Sequence, residues 1–359
     1  MINITKPFLP KLEEYQKYLE GIWEREWLTN NGPLVNDLEL KLKAYLKVNH
    51  VLFLGNGTIA LQIAIKALKL SGEIITTPFS YVATTNSIIW EGCTPVFADI
   101  DPHSLNLDPA KIEERITPKT SAIMATHVYG NPCDVDQIEK IAKKHGLKVI
   151  YDAAHSFAVK YKGRSIFEFG DISTTSFHAT KVFHTIEGGA VFTNEPELVK
   201  TMSRLRNFGH SGPDTFDNAG INGKNSEFHA AMGLVNLKYV DEILATRKAQ
   251  AQAYDMALAT LEVTRPKILK GADWNYSYYP VVFATEEQLL KSVQDLNANW
   301  IYPRRYFYPS LSTLDFVGRY DVPICEDICR RVLCLPMYDT MRTEDIDFIA
   351  RILLRAQNN

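Results

Sequence analysis

His50-Val51-Leu52-Phe53-Leu54-Gly55-Asn56-Gly57-Thr58, with the helical pattern that follows it to Leu70, decides the architecture. A short apolar run enters a Gly-containing turn, and the turn enters residues whose apolar positions recur at helical spacing. The unit then repeats. Strand-like runs are expected at Glu73–Thr77, Pro95–Ala98, Ala122–Ala125 and Lys148–Tyr151. Helices are expected at roughly Thr58–Leu70, Val82–Glu91, Pro109–Ile116 and Val135–His145. Alternating strands and helices predict an α/β fold with a mostly parallel central sheet covered on both faces. Two further runs, Ile172–Phe177 and Ala190–Thr193, extend the sheet through a polar, Gly-containing connection.

Outward from this unit the pattern changes. Residues 1–35 read as an N-terminal arm: a helix-like stretch, Leu12 to Trp27, then a loop at Leu28-Thr29-Asn30-Asn31-Gly32-Pro33. A helix over Asp37–Leu46, capped by Asn36, opens a large domain spanning 36–226. From Glu227 to about Leu261 the apolar spacing is helical throughout and predicts a linker helix. Residues 262–359 predict a smaller C-terminal α+β domain, with a strand at Tyr278–Phe283 and helices at Glu286–Asn297, Ile324–Val332 and Glu344–Leu354.

The chain has 359 residues, enough for two cores, and its 46% hydrophobic and 23% charged content is that of a globular protein. A formal charge of −3 argues against nucleic acid as a partner, so an anionic ligand must be met by local groups. Five cysteines without a CxxC pair suggest neither a disulfide framework nor a metal site. No apolar run approaches a membrane span and the N-terminus lacks a signal-peptide pattern, so a cytoplasmic location is expected.

Four local features carry chemistry. The turn Gly55-Asn56-Gly57-Thr58 aims free backbone N–H groups and a helix dipole at one place, as an anion site requires. Taken alone it is equally a plain Gly turn. Asp152, in Tyr151-Asp152-Ala153-Ala154-His155, follows an apolar strand, where open α/β sheets bind ligands; alone it reads as well as a loop cap. Ser176-Phe177-His178-Ala179-Thr180-Lys181, closed by Glu187-Gly188-Gly189-Ala190, offers an amine able to form a Schiff base and move protons. It adds a hydroxyl suited to phosphate and two glycines that let backbone pass close to a cofactor or a neighbouring chain. A lone Lys is nearly always a surface charge, and only its company argues otherwise. Tyr81, in Phe79-Ser80-Tyr81-Val82-Ala83-Thr84, places a ring at the same edge, where core packing is the plainer reading.

Together these motifs resemble the DegT/DnrJ/EryC1/StrS sugar aminotransferases, nearly end to end. The resemblance implies the pyridoxal 5′-phosphate (PLP) fold-type I architecture, aspartate aminotransferase-like. It implies that Lys181 is the catalytic Schiff-base lysine, that Asp152 pairs with the pyridine nitrogen and that His155 approaches the ring oxygen. It further implies that Tyr81 stacks on the ring and that Gly57, Thr58 and Ser176 hold the phosphate. Asn222 would arrive from the neighbouring subunit of a homodimer with shared active sites, in a loop where this chain has Lys224 and relatives often have Arg. His178 reads as a support for Lys181. The expected partners are L-glutamate/2-oxoglutarate and a nucleotide sugar.

Sub-patterns at 28–33, 77–84 and 304–309 look most like the branch that makes dTDP-4-amino-4,6-dideoxy-D-glucose for surface glycans such as O-antigen. On this reading Thr29, Asn30, Asn31, Arg304, Arg305, Tyr306 and Tyr308 are candidate sugar-nucleotide ligands, the two arginines for the diphosphate. A sugar 3-dehydratase of the same fold typically has His where Lys181 stands. A non-catalytic relative would not need Asp152, Ser176 and Lys181 together. A NAD enzyme would show G-x-G-x-x-G after the first strand, and none is present.

Overall fold

The computed structural model describes residues 1–358. Seven strands form its main sheet: β1 (His50–Leu54), β2 (Glu73–Thr76), β3 (Thr94–Phe97), β4 (Thr120–Thr126), β5 (Lys148–Asp152), β6 (Ile172–Ser176) and β7 (Gly189–Thr193). Their spatial order is β1-β7-β6-β5-β4-β2-β3. Strands β2 to β6 run parallel to one another, whereas β7 runs antiparallel to both β6 and β1. The last two strands therefore do not lengthen the sheet at an edge. They fill the gap between the first strand and β5.

Side-chain alternation along β1 shows how both faces are closed. Val51 and Phe53 join an apolar cluster with Leu38, Leu42 and Ile138, while Leu52 and Leu54 join another with Leu61, Ile65 and Met202. Strands buried on both sides lose the polar/apolar alternation of a half-exposed sheet, which is why they read as continuous apolar runs.

The helix after the arm begins earlier than the sequence suggests, at Pro33 rather than Asp37, and runs to Leu46. Pro33 occupies its first position, where no N–H is needed and φ is already helical. Asn36 does not cap it; its side chain donates to Asn31 O at 3.0 Å. The cap comes from Glu227, whose carboxylate oxygens accept from Leu34 N and Val35 N at 2.9 Å each. Glu227 is fully buried, so its charge is balanced by those N–H groups and the positive end of the helix dipole.

The long linker helix is interrupted. It consists of Glu227–Asn236, a 3-10 turn at Leu237–Tyr239, and Val240–Ala257. The helix Leu12–Arg25 packs on its first piece through Tyr15 Oη donating to Phe228 O (3.1 Å) and Trp23 edge-on to Phe228. A helix at Pro196–Leu205 was not expected from the sequence.

The C-terminal residues build a three-stranded antiparallel sheet, Val263–Thr264, Tyr279–Phe283 and Val332–Leu335, with the middle strand in the centre. Helices Glu286–Ala298 and Thr343–Asn358 pack beside it around Leu289, Leu296, Ile349 and Leu353. The helix expected at Ile324–Val332 is Pro323–Arg331, and Val332 already belongs to a strand. Ile2–Asn3 pairs with Ile301–Tyr302, so the chain's start is tied to this unit. Phe97 of β3, with Phe79 and Tyr129 of the main sheet's loops, meets Val282, Phe307 and Cys334 in a shared apolar cluster. The five cysteines are buried and free, and no described helix is long and apolar enough to cross a membrane.

Replacing Glu227 by Ala leaves two buried N–H groups without acceptors. We expect a loss of about 2–3 kcal/mol, read as a lower thermal midpoint, with Glu227→Gln intermediate. An unchanged midpoint for the Ala variant would contradict the capping role.

Candidate active site

The register of the sheet collects the chemistry at one edge. Thr126 at the end of β4 pairs with Asp152 at the end of β5, and Asp152 pairs with Thr174 of β6. Because β7 is antiparallel, its first residue, Gly189, lies beside the last residues of both β1 and β6, Leu54 and Ser176. The connection 177–188 must therefore leave and re-enter at the carboxyl edge. Phe177 N to Gly188 O (2.8 Å) and Thr185 N to Phe177 O (2.9 Å) close its base, and Lys181 projects from its outer part. A parallel β7 would have taken the chain to the other end of the sheet and Lys181 away from Asp152.

Lys181, Asp152, His155, Gly57, Thr58, Ser176 and Tyr81 line one cleft of about 280 Å³, together with Arg304, Tyr306 and Phe307. That volume is near the lower end for small-molecule sites, about 300–1,000 Å³. Burial pushes the Lys181 amine down to about 8; Asp152 opposes the shift and Arg304 adds to it. Burial also raises the Asp152 carboxyl, against the Thr84 hydroxyl, the Ala154 N–H and the charge of Lys181. Thr84 Oγ1 donates to Asp152 Oδ2 at 2.7 Å and Ala154 N to Oδ1 at 3.1 Å.

His155 is buried and held well below its usual range, first by burial and then by Lys181. Its Nδ1 accepts from Tyr129 N at 3.3 Å, its Nε2 lies 3.5 Å from Tyr306 Oη, and its ring is parallel to Phe307. Accepting at Nδ1, the neutral ring carries its proton on Nε2.

At the other end of the cleft a helix starts at Gly57, capped by Asn56 Oδ1 accepting from Ile59 N at 2.8 Å. The N–H groups of Gly57 and Thr58 precede any possible partner inside the helix. A Cβ on Gly57 would sit 2.9 Å from Ser176 Cβ, so the Gly lets these two residues close into one cradle. Free N–H groups, a hydroxyl and a positive helix end suit a phosphate, while a buried carboxylate and a buried amine stand elsewhere in the same cleft. The residues present therefore fit a phosphorylated pyridine aldehyde such as PLP.

Gly188 and Gly189 permit close approach within this chain. A Cβ on Gly189 would lie 2.5 Å from the Asn56 carbonyl carbon, and one on Gly188 2.1 Å from Thr185 Oγ1. The crowding is within this chain. His178 shapes the turn before Lys181: its Nδ1 accepts from Thr180 N at 3.2 Å, and its O from Lys181 N at 2.9 Å.

Of the candidate sugar-nucleotide ligands, Arg304 and Tyr306 reach the cleft. Arg305 and Tyr308 do not. Arg305 is bound to Glu286 (2.6 Å) and to Arg330 O (2.9 Å), and lies over the Tyr308 ring. Thr29, Asn30 and Asn31 lie outside the cleft, in a loop held by Trp27 Nε1 to Thr29 O and by Asn36. Asn222 is exposed and also outside its own chain's cleft. Sequence reasoning passed over Phe307, Glu187, Ser80 and Thr126, which do line it. Ser80 stood inside a quoted motif, but nothing local signals that its hydroxyl turns inward.

Comparison with known proteins bears on this arrangement. Residues 11–354 match the DegT/DnrJ/EryC1/StrS aminotransferase family. The chain is 43% identical to a dTDP-4-amino-4,6-dideoxy-D-glucose transaminase of Shigella dysenteriae, over 97% of each chain. It is 40% identical to a transaminase of the same name from Escherichia coli, over 98% of each. Its fold superimposes with a TM-score of 0.94 on DesI, solved in the presence of its TDP-sugar product, at 34% identity, covering 99% of this chain and 93% of that one.

The depressed Lys181 value makes the cofactor-free protein testable. Exposed lysines stay protonated to about pH 10, whereas Lys181 is half neutral near pH 8. Trace acetic anhydride at about pH 8 should therefore modify Lys181 ahead of surface lysines, with a rate that levels off above that pH; peptide mapping reads the order. A folded value below the unfolded 10.5 also means that charge on Lys181 costs stability below pH 8, and that the cost fades as pH rises towards 10.5. Uniform labelling would contradict the shift.

Proposed function

The chain belongs to the DegT/DnrJ/EryC1/StrS aminotransferase family, and from that premise we propose that it moves an amino group from L-glutamate to dTDP-4-keto-6-deoxy-D-glucose, giving dTDP-4-amino-4,6-dideoxy-D-glucose. It is a PLP-dependent sugar-nucleotide aminotransferase. The observation that carries the site assignment is that Lys181 and Asp152 share one cleft with the Gly57–Ser176 cradle. The acceptor follows the two transaminases matched over almost their whole length.

Bound PLP supplies a conjugated, protonated ring that accepts the electron pair left when a proton leaves the carbon bearing the amine. The chain's residues do the rest. Asp152 would accept the pyridine N–H and keep it protonated. The N–H groups of Gly57 and Thr58 and the Ser176 hydroxyl would receive the phosphate, the His155 Nε2–H would face the ring oxygen, and Tyr81 would cover the ring. Lys181 would anchor the cofactor between turnovers. Its Nζ, neutral enough near pH 8 to take a proton and protonated enough to return it, would serve as acid and base for both donor and acceptor. One site serving glutamate and the keto sugar in turn predicts ping-pong kinetics.

Arg304 lies over the Tyr306 ring, and a guanidinium so placed suits the diphosphate of the sugar nucleotide. Asn222 of the partner subunit completes the phosphate site in a homodimer. We place the enzyme in the cytoplasm, in surface-glycan synthesis.

Incubation with dTDP-4-keto-6-deoxyglucose and glutamate, then NMR of the product, decides the acceptor. A C3 amine, or faster turnover of a UDP or GDP sugar, would sink the assignment. Lys181→Ala should lose turnover; native-rate transamination by it would refute the mechanism. Arg304→Ala should raise KM for the sugar nucleotide by roughly tenfold to a hundredfold, from the worth of a hydrogen bond to a charged group, and leave KM for glutamate within about twofold. Equal effects on both would move Arg304 to the donor's carboxylate.

A further inference from the structure

Three buried hydroxyls that take no part in the chemistry above form a chain that ends on Asp152. Thr126 Oγ1 lies 3.0 Å from Ser80 Oγ, Ser80 Oγ lies 2.7 Å from Thr84 Oγ1, and Thr84 Oγ1 lies 2.7 Å from Asp152 Oδ2. Thr126 ends β4, Ser80 lies in the turn after β2 and Thr84 in the first turn of the helix Val82–Trp90, while Asp152 ends β5. All three are at most 3% exposed.

The direction of each bond follows from counting protons. A hydroxyl has one proton to donate, and an ionised carboxylate only accepts. Thr84 spends its proton on Asp152, so Ser80 must donate to Thr84 and Thr126 to Ser80. Every O–H dipole in the chain then points at the carboxylate. A hydroxyl that accepts one bond while donating another is a stronger donor, so the far members add to the near one.

We infer that Thr84, Ser80 and Thr126 are positioning residues that keep Asp152 ionised and thereby keep the pyridine nitrogen of the bound cofactor protonated. The setting calls for such a device. Asp152 sits where burial favours the neutral acid, and a neutral Asp152 would not stabilise a charged ring. The groups that oppose burial there are Thr84, the Ala154 N–H and Lys181. Lys181 loses its free ammonium charge whenever it is joined to the cofactor. The Cys133 thiol, also near Asp152, is raised by burial and stays neutral. The hydroxyl chain and the Ala154 N–H therefore act on Asp152 throughout. Each Asp152 oxygen keeps a further lone pair for the pyridine N–H.

The inference rests on the PLP reading of the site, and the experiment separates the two. The holoenzyme is prepared with ring-15N-labelled PLP, and its 15N resonance is recorded at neutral pH for the unaltered protein, Thr84→Val, Thr84→Ser, Ser80→Ala and Thr126→Val. In the unaltered protein the resonance should be that of a protonated ring. Thr84→Val should move it towards the unprotonated position and lower kcat by about tenfold or more, with KM for glutamate little changed. Thr84→Ser should restore both, and Ser80→Ala and Thr126→Val should shift the resonance in the same direction by smaller steps.

A Thr84→Val holoenzyme with an unshifted resonance would overturn the inference. Should that variant not retain the cofactor, Ser80→Ala and Thr126→Val decide by the same measure: a shift supports the chain, and two unshifted resonances overturn it. Failure of the unaltered protein to take up labelled PLP on Lys181 would instead overturn the functional reading itself.

Discussion

A carboxylate withdrawn from water stays charged only where other dipoles and charges replace the water it has lost. Asp152 is in that position, and the surroundings of the cleft are arranged around it. The Ala154 N–H reaches one oxygen and the Thr84 hydroxyl the other. Lys181 faces the same cleft, where burial weakens its hold on a proton and Asp152 strengthens it, with a balance near 8. Neither group has its working character alone. The carboxylate gains charge stability from the lysine, and the lysine keeps enough basicity because of the carboxylate.

That pairing depends on the one strand that runs against the rest. With β7 antiparallel, the loop bearing Lys181 begins and ends at the carboxyl edge of the sheet. The arrangement leaves β1 at the sheet's edge, where unpaired backbone groups are a liability. They are met by side chains: Phe53 N donates to Glu39 Oε1 (2.8 Å), and Phe53 O accepts from Arg206 Nη1 (2.9 Å). Arg206 and Glu39 pair with each other at 2.5 Å. The edge is closed by a largely buried ion pair, and the Gly55–Thr58 turn that follows β1 is held in place beside Ser176.

The aromatic segment 304–308 shows how one cleft can separate two adjacent arginines. Arg304 pairs through its backbone with Cys334, as in an antiparallel bridge. Extended backbone sends successive side chains to opposite sides. Arg304 lines the cleft, while Arg305 turns outward to Glu286; at Tyr306 and Phe307 the chain turns, and both of those side chains line the cleft as well. Two adjacent arginines that look equivalent in sequence thus acquire opposite surroundings, the outer one held by Glu286 and Arg330 O.

The sequence by itself determined the alternation of buried strands and helices, and with it an α/β sheet, because strands covered on both faces must be apolar throughout. It also determined the residues that meet in the cleft: the Gly57–Thr58 turn, Asp152 at a strand end, and Ser176 with Lys181. Each of these sits in a local pattern whose chemistry is carried by a few adjacent residues. Only the tertiary structure decided the sheet order, the reversed β7, the capping of the Pro33 helix by Glu227, and the hydroxyl chain from Thr126 to Asp152. These are contacts between groups far apart in sequence, such as Glu227 with Leu34 and Thr84 with Asp152. No local pattern encodes them, because what fixes each is the burial of a polar group that must then find whatever partner the fold brings near.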